Sequence, residues 1–377
     1  MQYRYFTKDK LKVSVLGFGC MRFPIENGDS ALIEESKATE MLHYAIDNGV
    51  NYIDTAYPYH QGNSESFVGR ALSNGYREKV YLATKLPVWL CKTYEDFEKY
   101  LDEQLERLNT DYIDFYLLHS LNEKTWNNIV ELKIFDFIEV AKEKGKIKYI
   151  GFSFHDELPV FKSIIDSYNW DFCQIQLNYM DRQYQAGIAG LEYASQRDIS
   201  VVIMEPIKGG KLSVASNEIR DIWNRSNIKR TAAQWALEWI YNFSDVSVVL
   251  SGMSTLEQVE ENIETSKGAL DNSLSQEDLK LVDEVTSVYK KNIKVGCTSC
   301  EYCLPCPEGV AIPSIFDMYN NVYVYGTEQD SINRYKGLTK AEKDSSKCVE
   351  CGICQGLCPQ HLNIIQDLKD SHKVLAK

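Results

Sequence analysis

The chain has 377 residues, 44% of them apolar, and a formal net charge of −13. That length accommodates two domains, or one large barrel with an appendage, around a well-buried core. The acidic balance argues against nucleic acid or an anionic membrane as a partner, since both need basic patches, and no apolar run reaches the roughly eighteen residues of a spanning helix.

In chain order, residues 3–14 suit a short hairpin turning at Asp9 and Lys10, placed to plug one end of a barrel. From about residue 10 to 290, β-branched or aromatic runs alternate with amphipathic stretches. The strand candidates are 13–19, 51–56, 80–85, 112–119, 147–154, 172–178, 200–206 and 246–252. Each is a nearly continuous apolar run, the pattern of a strand buried on both faces. Eight βα units within about 250 residues predict a closed parallel (β/α)8 TIM barrel.

Between the strands, Phe97, Leu101, Leu105 and Leu108 form an apolar stripe on one helix face. Thr231 with Gln234, and Thr255 with Gln258, read as capping boxes, in which a hydroxyl and an amide satisfy free backbone donors reciprocally. Ser275 with Asp278 opens a last helix to about Tyr289, and residues 312–325 form a Tyr-rich apolar helix with Pro313 near its first turn. Eight cysteines between residues 297 and 358 set the tail apart, so the expected division is a barrel over residues 1–290 and a small C-terminal α-helical, ferredoxin-like iron–sulfur domain over 291–377.

The second domain is expected from its cysteines. Eight of the chain's eleven fall in two runs, Cys297, Cys300, Cys303, Cys306-Pro307 and Cys348, Cys351, Cys354, Cys358-Pro359. The second run resembles the ligand spacing of bacterial ferredoxins, in which three close thiolates hold one [4Fe–4S] cluster and the fourth reaches a second. That rule implies two clusters, one on Cys297, Cys300, Cys303 and Cys358, the other on Cys348, Cys351, Cys354 and Cys306. A four-thiolate zinc site is the alternative, but four cysteines at three-residue intervals crowd one tetrahedral ion. With no signal peptide before the first strand, a disulfide framework is less expected than a reducing, cytoplasmic setting.

Barrels of this kind build their sites from loops after the carboxyl ends of the strands. Four residues stand out there: Asp54, Tyr59, Lys85 and His119. Singly, each has a plain structural explanation: a turn aspartate, one of 24 tyrosines, a solvent-facing lysine, a satisfied core histidine. Together they form a proton-transfer centre beside a carbonyl. Lys85, held by Asp54, would draw the phenol of Tyr59 down toward the working range. His119 would donate to the carbonyl oxygen, and Tyr59 would be the general acid.

The segments Gly17-Phe-Gly-Cys-Met-Arg22, Asp54-Thr-Ala-Tyr-Pro-Tyr59, Gly62-Asn-Ser-Glu65, Leu117-Leu-His119, Gly151-Phe-Ser153 and Glu261-Asn262 resemble the aldo-keto reductases over roughly residues 10 to 270. With the cysteine tail, the chain is similar to the ferredoxin-type, iron–sulfur branch of that family. The resemblance implies a nicotinamide dinucleotide bound without a Rossmann domain, and it sets Asp54, Tyr59, Lys85 and His119 on the family's catalytic positions. It also places Ser153 and Gln174 at the nicotinamide carboxamide, Lys208, Gly209 and Gly210 over the pyrophosphate, and Glu261 and Asn262 at the adenine. The sequence departs at Phe154, usually Asn, and at Met204, where many members carry an aromatic ring. Members that prefer the 2′-phosphorylated cofactor carry cations around the positions of Gly252 and Gln258, so their absence favours NAD(H) over NADP(H).

The first functional expectation is an oxidoreductase passing hydride between nicotinamide and a small carbonyl or alcohol substrate, with clusters for electron transfer or structure. Hydride carries two electrons and a cluster one, so coupling them would call for a flavin, for which no signature is visible. A ferredoxin or similar electron carrier would then be a partner. The alternative is a redox-sensing or regulatory dinucleotide-binding protein without turnover.

Overall fold

A computed structural model describes residues 1–377. Two strands, β1 (Tyr3–Phe6) and β2 (Leu11–Ser14), pair antiparallel as the expected hairpin. The apolar run at 13–19 is thereby split: Val13 and Ser14 end the hairpin, and the first barrel strand, β3, is only Leu16–Gly19. The remaining strands are β4 (Tyr52–Asp54), β5 (Tyr81–Leu86), β6 (Ile113–Leu121), β7 (Ile147–Phe154), β8 (Phe172–Gln176), β9 (Ser200–Met204) and β10 (Val246–Ser251). They close in the order β10, β3, β4, β5, β6, β7, β8, β9, every pair parallel.

The barrel interior is filled by side chains from alternating strand positions. Phe6 of the hairpin, wholly buried, enters one end and meets Tyr52, Phe115 and Phe172 with ring centroids 5.9, 4.8 and 5.5 Å away. Tyr52, Phe115, Phe172, Val202 and Val248 complete this cluster. The hairpin is thus a hydrophobic stopper, and the opposite end, where the strands finish, carries the polar residues.

On the helix Glu95–Leu108 the buried stripe is Phe97, Leu101, Gln104 and Leu108. Leu105 is only half-buried, and an amide takes the place expected for it, because Gln104 has polar partners under the barrel wall. At the helix Leu256–Lys267 the capping is offset by one residue: Thr255 accepts from the Gln258 amide N–H, while the Gln258 side chain accepts from Ser254 N at 2.8 Å.

By packing, the chain divides into two compact units, residues 1–209 with 233–275, and residues 210–232 with 276–377. The helix Gln276–Lys291 therefore groups with the cysteine-bearing unit. That unit also holds the helix Ile312–Tyr325, which starts with Pro in its first turn and ends at Gly326 with φ +69°, a left-handed stop that suits glycine. Its core gathers Val295, Ile315, Phe316, Tyr335, Leu368 and Leu375, with five of the tail cysteines packed against it and Cys354 inside it.

Candidate active site

Strand pairing brings the four predicted residues together. Asp54 ends β4 opposite Ala83 of β5, Lys85 follows two residues later opposite Leu117 of β6, and His119 lies two residues beyond that. A step of two along a strand keeps the same face, so all three face inward. Tyr59 comes from the loop after β4, opening the 3₁₀ turn Tyr59–Gly62.

Lys85 is fully buried, and Asp54 is 2% exposed. The Lys85 ammonium donates to Asp54 Oδ1 at 2.7 Å, to the Thr55 carbonyl at 2.8 Å and to the Tyr59 hydroxyl at 3.3 Å. Three acceptors satisfy its three protons, which is the condition under which a buried charge is tolerated. Burial alone would pull the Lys85 amine down, but Asp54 and Tyr59 hold it above its ordinary value. Burial pushes the Asp54 carboxyl up while Lys85 draws it down; with every ammonium proton bonded, the pair is ionised.

The phenol of Tyr59 departs from expectation. Burial raises it above the usual tyrosine range; Lys85 lowers it without overcoming that effect, and Asp54 adds to the rise. Desolvating a phenolate at the barrel mouth outweighs one neighbouring cation that a carboxylate already neutralises. The group is consequently a protonated donor across neutral pH, suited to giving a proton to a developing alkoxide.

Burial holds His119 well below its ordinary value, helped by Lys85 and His155. It is a neutral imidazole, set edge to face with Tyr59 at 6.2 Å and beside Trp89 at 5.1 Å between ring centroids. Its Nδ1 is buried without a partner. Trp89, 44% exposed, forms an aromatic wall at this mouth.

Beneath Lys85 lies a buried polar network. Gln104 donates to the Lys85 carbonyl at 3.0 Å and to Glu65 Oε1 at 2.6 Å, and accepts from the Tyr116 hydroxyl at 2.8 Å. Thr84 donates to Glu65 Oε1 at 2.6 Å, and Arg107 to Glu65 Oε2 at 3.2 Å. Sequence reasoning quoted Glu65 in a motif but missed Gln104; the signal was a polar residue at helical spacing within an apolar stripe.

The residues expected at the cofactor are less uniform. Ser153 and Gln174 stand opposite each other on β7 and β8. Ser153 Oγ accepts from Ser120 N at 2.7 Å, and Gln174 Nε2 donates to Met204 Sδ at 3.4 Å. Gln174 Oε1 is buried with no partner, an acceptor waiting for a donor. Phe154 is fully buried against Phe161, 5.2 Å between centroids, so it serves packing. Lys208 is ion-paired to Asp181, and Asn262 donates to Ser251 Oγ at 2.9 Å. Glu261 is half-buried on the same helix as Gln258. Gly210, at φ +89°, falls in the other unit. Gly252 is exposed, but the stem of Arg22 packs on it, so a cation from the loop after β3 does lie where neighbouring sequence offers none.

In the second unit, the cysteines line two cavities. Cys297, Cys300, Cys303 and Cys358 line one with Ile312, Phe316 and Leu362. Cys306, Cys348, Cys351 and Cys354 line the other with Val310, Ile353 and Leu368, and Cys303 reaches this wall too. Local anchors place both runs. Asn320 accepts from Lys294 N and Val295 N at 2.9 Å just before Cys297, and the Tyr335 hydroxyl accepts from Ser345 N at 3.0 Å just before Cys348.

Residues 15–287, most of the chain, match the family model of the aldo/keto reductases. The chain belongs to the aldo/keto reductase family. This aldo/keto reductase continues into a 4Fe-4S dicluster domain, matched over residues 296–363. Among its relatives, the uncharacterized oxidoreductase YqkF of Bacillus subtilis is 28% identical over 325 residues, 77% of this chain and 99% of that protein. L-galactose dehydrogenase of Arabidopsis thaliana is 27% identical over 306 residues, 74% of this chain and 92% of that one. Among solved structures, the holo form of the aldo-keto reductase AKR11C1 from Bacillus halodurans superposes with a TM-score of 0.62 at 27% identity, covering 75% of this chain and 96% of its own. An aldo/keto reductase of Klebsiella pneumoniae, solved with NADP and acetate, shares the fold at 24% identity and a TM-score of 0.61, covering 76% of this chain and 96% of its own. No helix of the chain is long and apolar enough to cross a membrane.

Proposed function

We propose that this protein is a nicotinamide-dependent reductase of small carbonyl compounds, working in reverse as an alcohol dehydrogenase, with Tyr59 exchanging the proton at the substrate oxygen. The reading is carried by one observation: a fully buried ammonium bonded at once to the Asp54 carboxylate, a backbone carbonyl and the Tyr59 phenol. A bound nicotinamide dinucleotide supplies or accepts the hydride. Tyr59 gives its proton to the oxygen as charge develops there, and Lys85 stabilises the phenolate left behind. Neutral His119 offers a ring N–H to the same oxygen and adds no charge of its own. Trp89 shields the mouth from water on one side.

The chain's groups fit the dinucleotide. The unpartnered Gln174 Oε1 would accept from a carboxamide N–H, with Ser153 opposite and Met204 supplying an apolar, polarisable face. Lys208, Gly210, Gly252, Gln258, Glu261 and Asn262 are the proposed surroundings of the remaining cofactor. Gly252 and Gln258 carry no charge themselves, and Arg22, whose stem packs on Gly252, takes its guanidinium on to Gly209; this supports NAD(H) over NADP(H).

The thiols fit two [4Fe–4S] clusters, on Cys297, Cys300, Cys303 and Cys358, and on Cys306, Cys348, Cys351 and Cys354. Nowhere do three or more His, Cys, Asp or Glu side chains converge tightly enough for a single metal ion. Four sulfurs spread around each cavity suit a polynuclear group better than zinc. The clusters would supply one-electron capacity toward a carrier such as a ferredoxin, in addition to tying the second unit together. A purely regulatory dinucleotide-binding role would leave the phenol, hydrogen-bonded to a buried ammonium, without a task.

Anaerobically purified protein is expected to oxidise NADH, and NADPH more slowly, when offered a panel of aldehydes and ketones, whereas Lys85→Met is not. Equal rates in the two proteins, or no oxidation with any carbonyl, would remove the reading.

A further inference from the structure

We infer that Arg22 is the phosphate-binding cation of this site and clamps the diphosphate of the dinucleotide, an inference resting on the nicotinamide reading above. Arg22 lies in the loop after β3, and its carbonyl is tied down by the Ser254 hydroxyl at 2.7 Å. Two glycines make room for its side chain. A Cβ placed on Gly252 would stand 3.1 to 3.4 Å from the Cδ, Cγ and Cβ of Arg22, and one placed on Gly209 would stand 3.1 Å from its Nη2. The stem therefore runs across the end of β10, and the guanidinium reaches the loop that follows β9.

The other candidate cation is committed elsewhere. Lys208 is ion-paired with Asp181, which also accepts from Gln176 and Asn178 at 3.1 Å each. Arg22 has no ion pair and no side-chain hydrogen bond, although it is held over two backbones. Glu205 Oε2 stands 3.6 Å from the same Cβ position on Gly209 and so limits approach from that side, but it makes no ion pair with Arg22, whose side chain is exposed. The loop is also strained: Glu205 and Lys208 hold φ of +57° and +49°, values a side chain normally avoids. Such strain gathers at ligand clamps. A planar fork of N–H donors matches two phosphate oxygens, and Gly209 at φ +63° presents a backbone without a side chain beside it.

The test is equilibrium binding of NADH and of NADPH to the cluster-loaded full chain, by titration calorimetry, for the unsubstituted protein, Arg22→Ala and Arg22→Lys. Arg22 is exposed, so neither change threatens folding, and unchanged thermal unfolding without nucleotide checks this. Arg22→Ala should weaken both nucleotides equally, by about 10- to 100-fold, and flatten the salt dependence of binding. Arg22→Lys should restore part of the loss, since charge returns without the fork. Unchanged binding in Arg22→Ala would overturn the inference alone. So would a loss confined to NADPH, which would reassign Arg22 to the 2′-phosphate. An unsubstituted protein that binds neither nucleotide would instead remove the nicotinamide reading itself.

Discussion

The barrel site and the cysteine cavities are organised on opposite principles. In the barrel, Lys85, Asp54, Tyr59, Gln104 and Glu65 already bond one another at 2.6 to 3.3 Å. Among the atoms left without partners there are Asp54 Oδ2, Gln174 Oε1 and His119 Nδ1. In the second unit, the eight thiols line cavities, and Cys300 and Cys351 are exposed. A site that moves protons can be assembled from protein groups alone, because hydrogen bonds between side chains set its geometry. One that houses a metal cluster leaves its own centre to the ligand, and part of its stability comes with the binding.

The comparison breaks most visibly at Lys85. Replacement by Met leaves the Asp54 carboxyl buried without its cation, so thermal unfolding should report a loss of about 3–5 kcal/mol, and carbonyl reduction should fall at least about 100-fold. A stable, active Lys85→Met protein would mean that the pair is ornamental.

Removing proposed cluster ligands from the second unit should act in that unit. Cys351→Ser with Cys354→Ser should lower bound iron to about half and lower the unfolding temperature of the second unit. NADH-dependent carbonyl reduction should continue, because the proposed proton-transfer residues Asp54, Tyr59 and Lys85 are bonded to one another within the barrel. Turnover that falls in proportion to iron would place the clusters in the hydride cycle.

A smaller effect is expected below Lys85. Gln104→Leu restores an apolar stripe but strips partners from Glu65, the Lys85 carbonyl and Tyr116, at a cost of about 1–3 kcal/mol. Turnover should drop about tenfold through displacement of Lys85, while the affinity for NADH stays unchanged.

The smallest effects concern pH. Lys85 is raised in the folded protein, so its contribution to stability is complete below the ordinary lysine value of about 10.4 and is lost as pH climbs through the folded value. His119 is depressed, so its contribution is present above about 6.5 and is lost as pH falls through the folded value. Because Tyr59 is raised, the reductive rate should show no loss of its acid form until above about pH 10. A rate falling through neutral pH would point to a depressed phenol instead.

Much of this was legible in the chain. All eight barrel strands announced themselves because strands buried on both faces are apolar at nearly every position. Asp54, Lys85 and His119 stood out as polar groups where such runs end. What escaped depended on contacts between distant segments. Residues 13 and 14 look continuous with β3 but belong to a hairpin whose pairing is with Tyr3 and Arg4. Leu105 and Gln104 exchange roles because Glu65 lies beneath that helix. The direction of the Tyr59 shift was misjudged, since a sequence shows the neighbouring lysine but not how much water burial removes. Arg22 reaches Gly209 and Gly252 across nearly the whole length of the barrel sequence, a proximity no local pattern reports.

The most direct measurement is carbonyl reduction by Tyr59→Phe, with NADH affinity determined in parallel. The substitution deletes the proton and the 3.3 Å contact with Lys85 while leaving the ring. Turnover lower by about 10²- to 10⁴-fold at unchanged NADH affinity is the result expected of a phenol that delivers the proton. Turnover within twofold of the unsubstituted protein would contradict it.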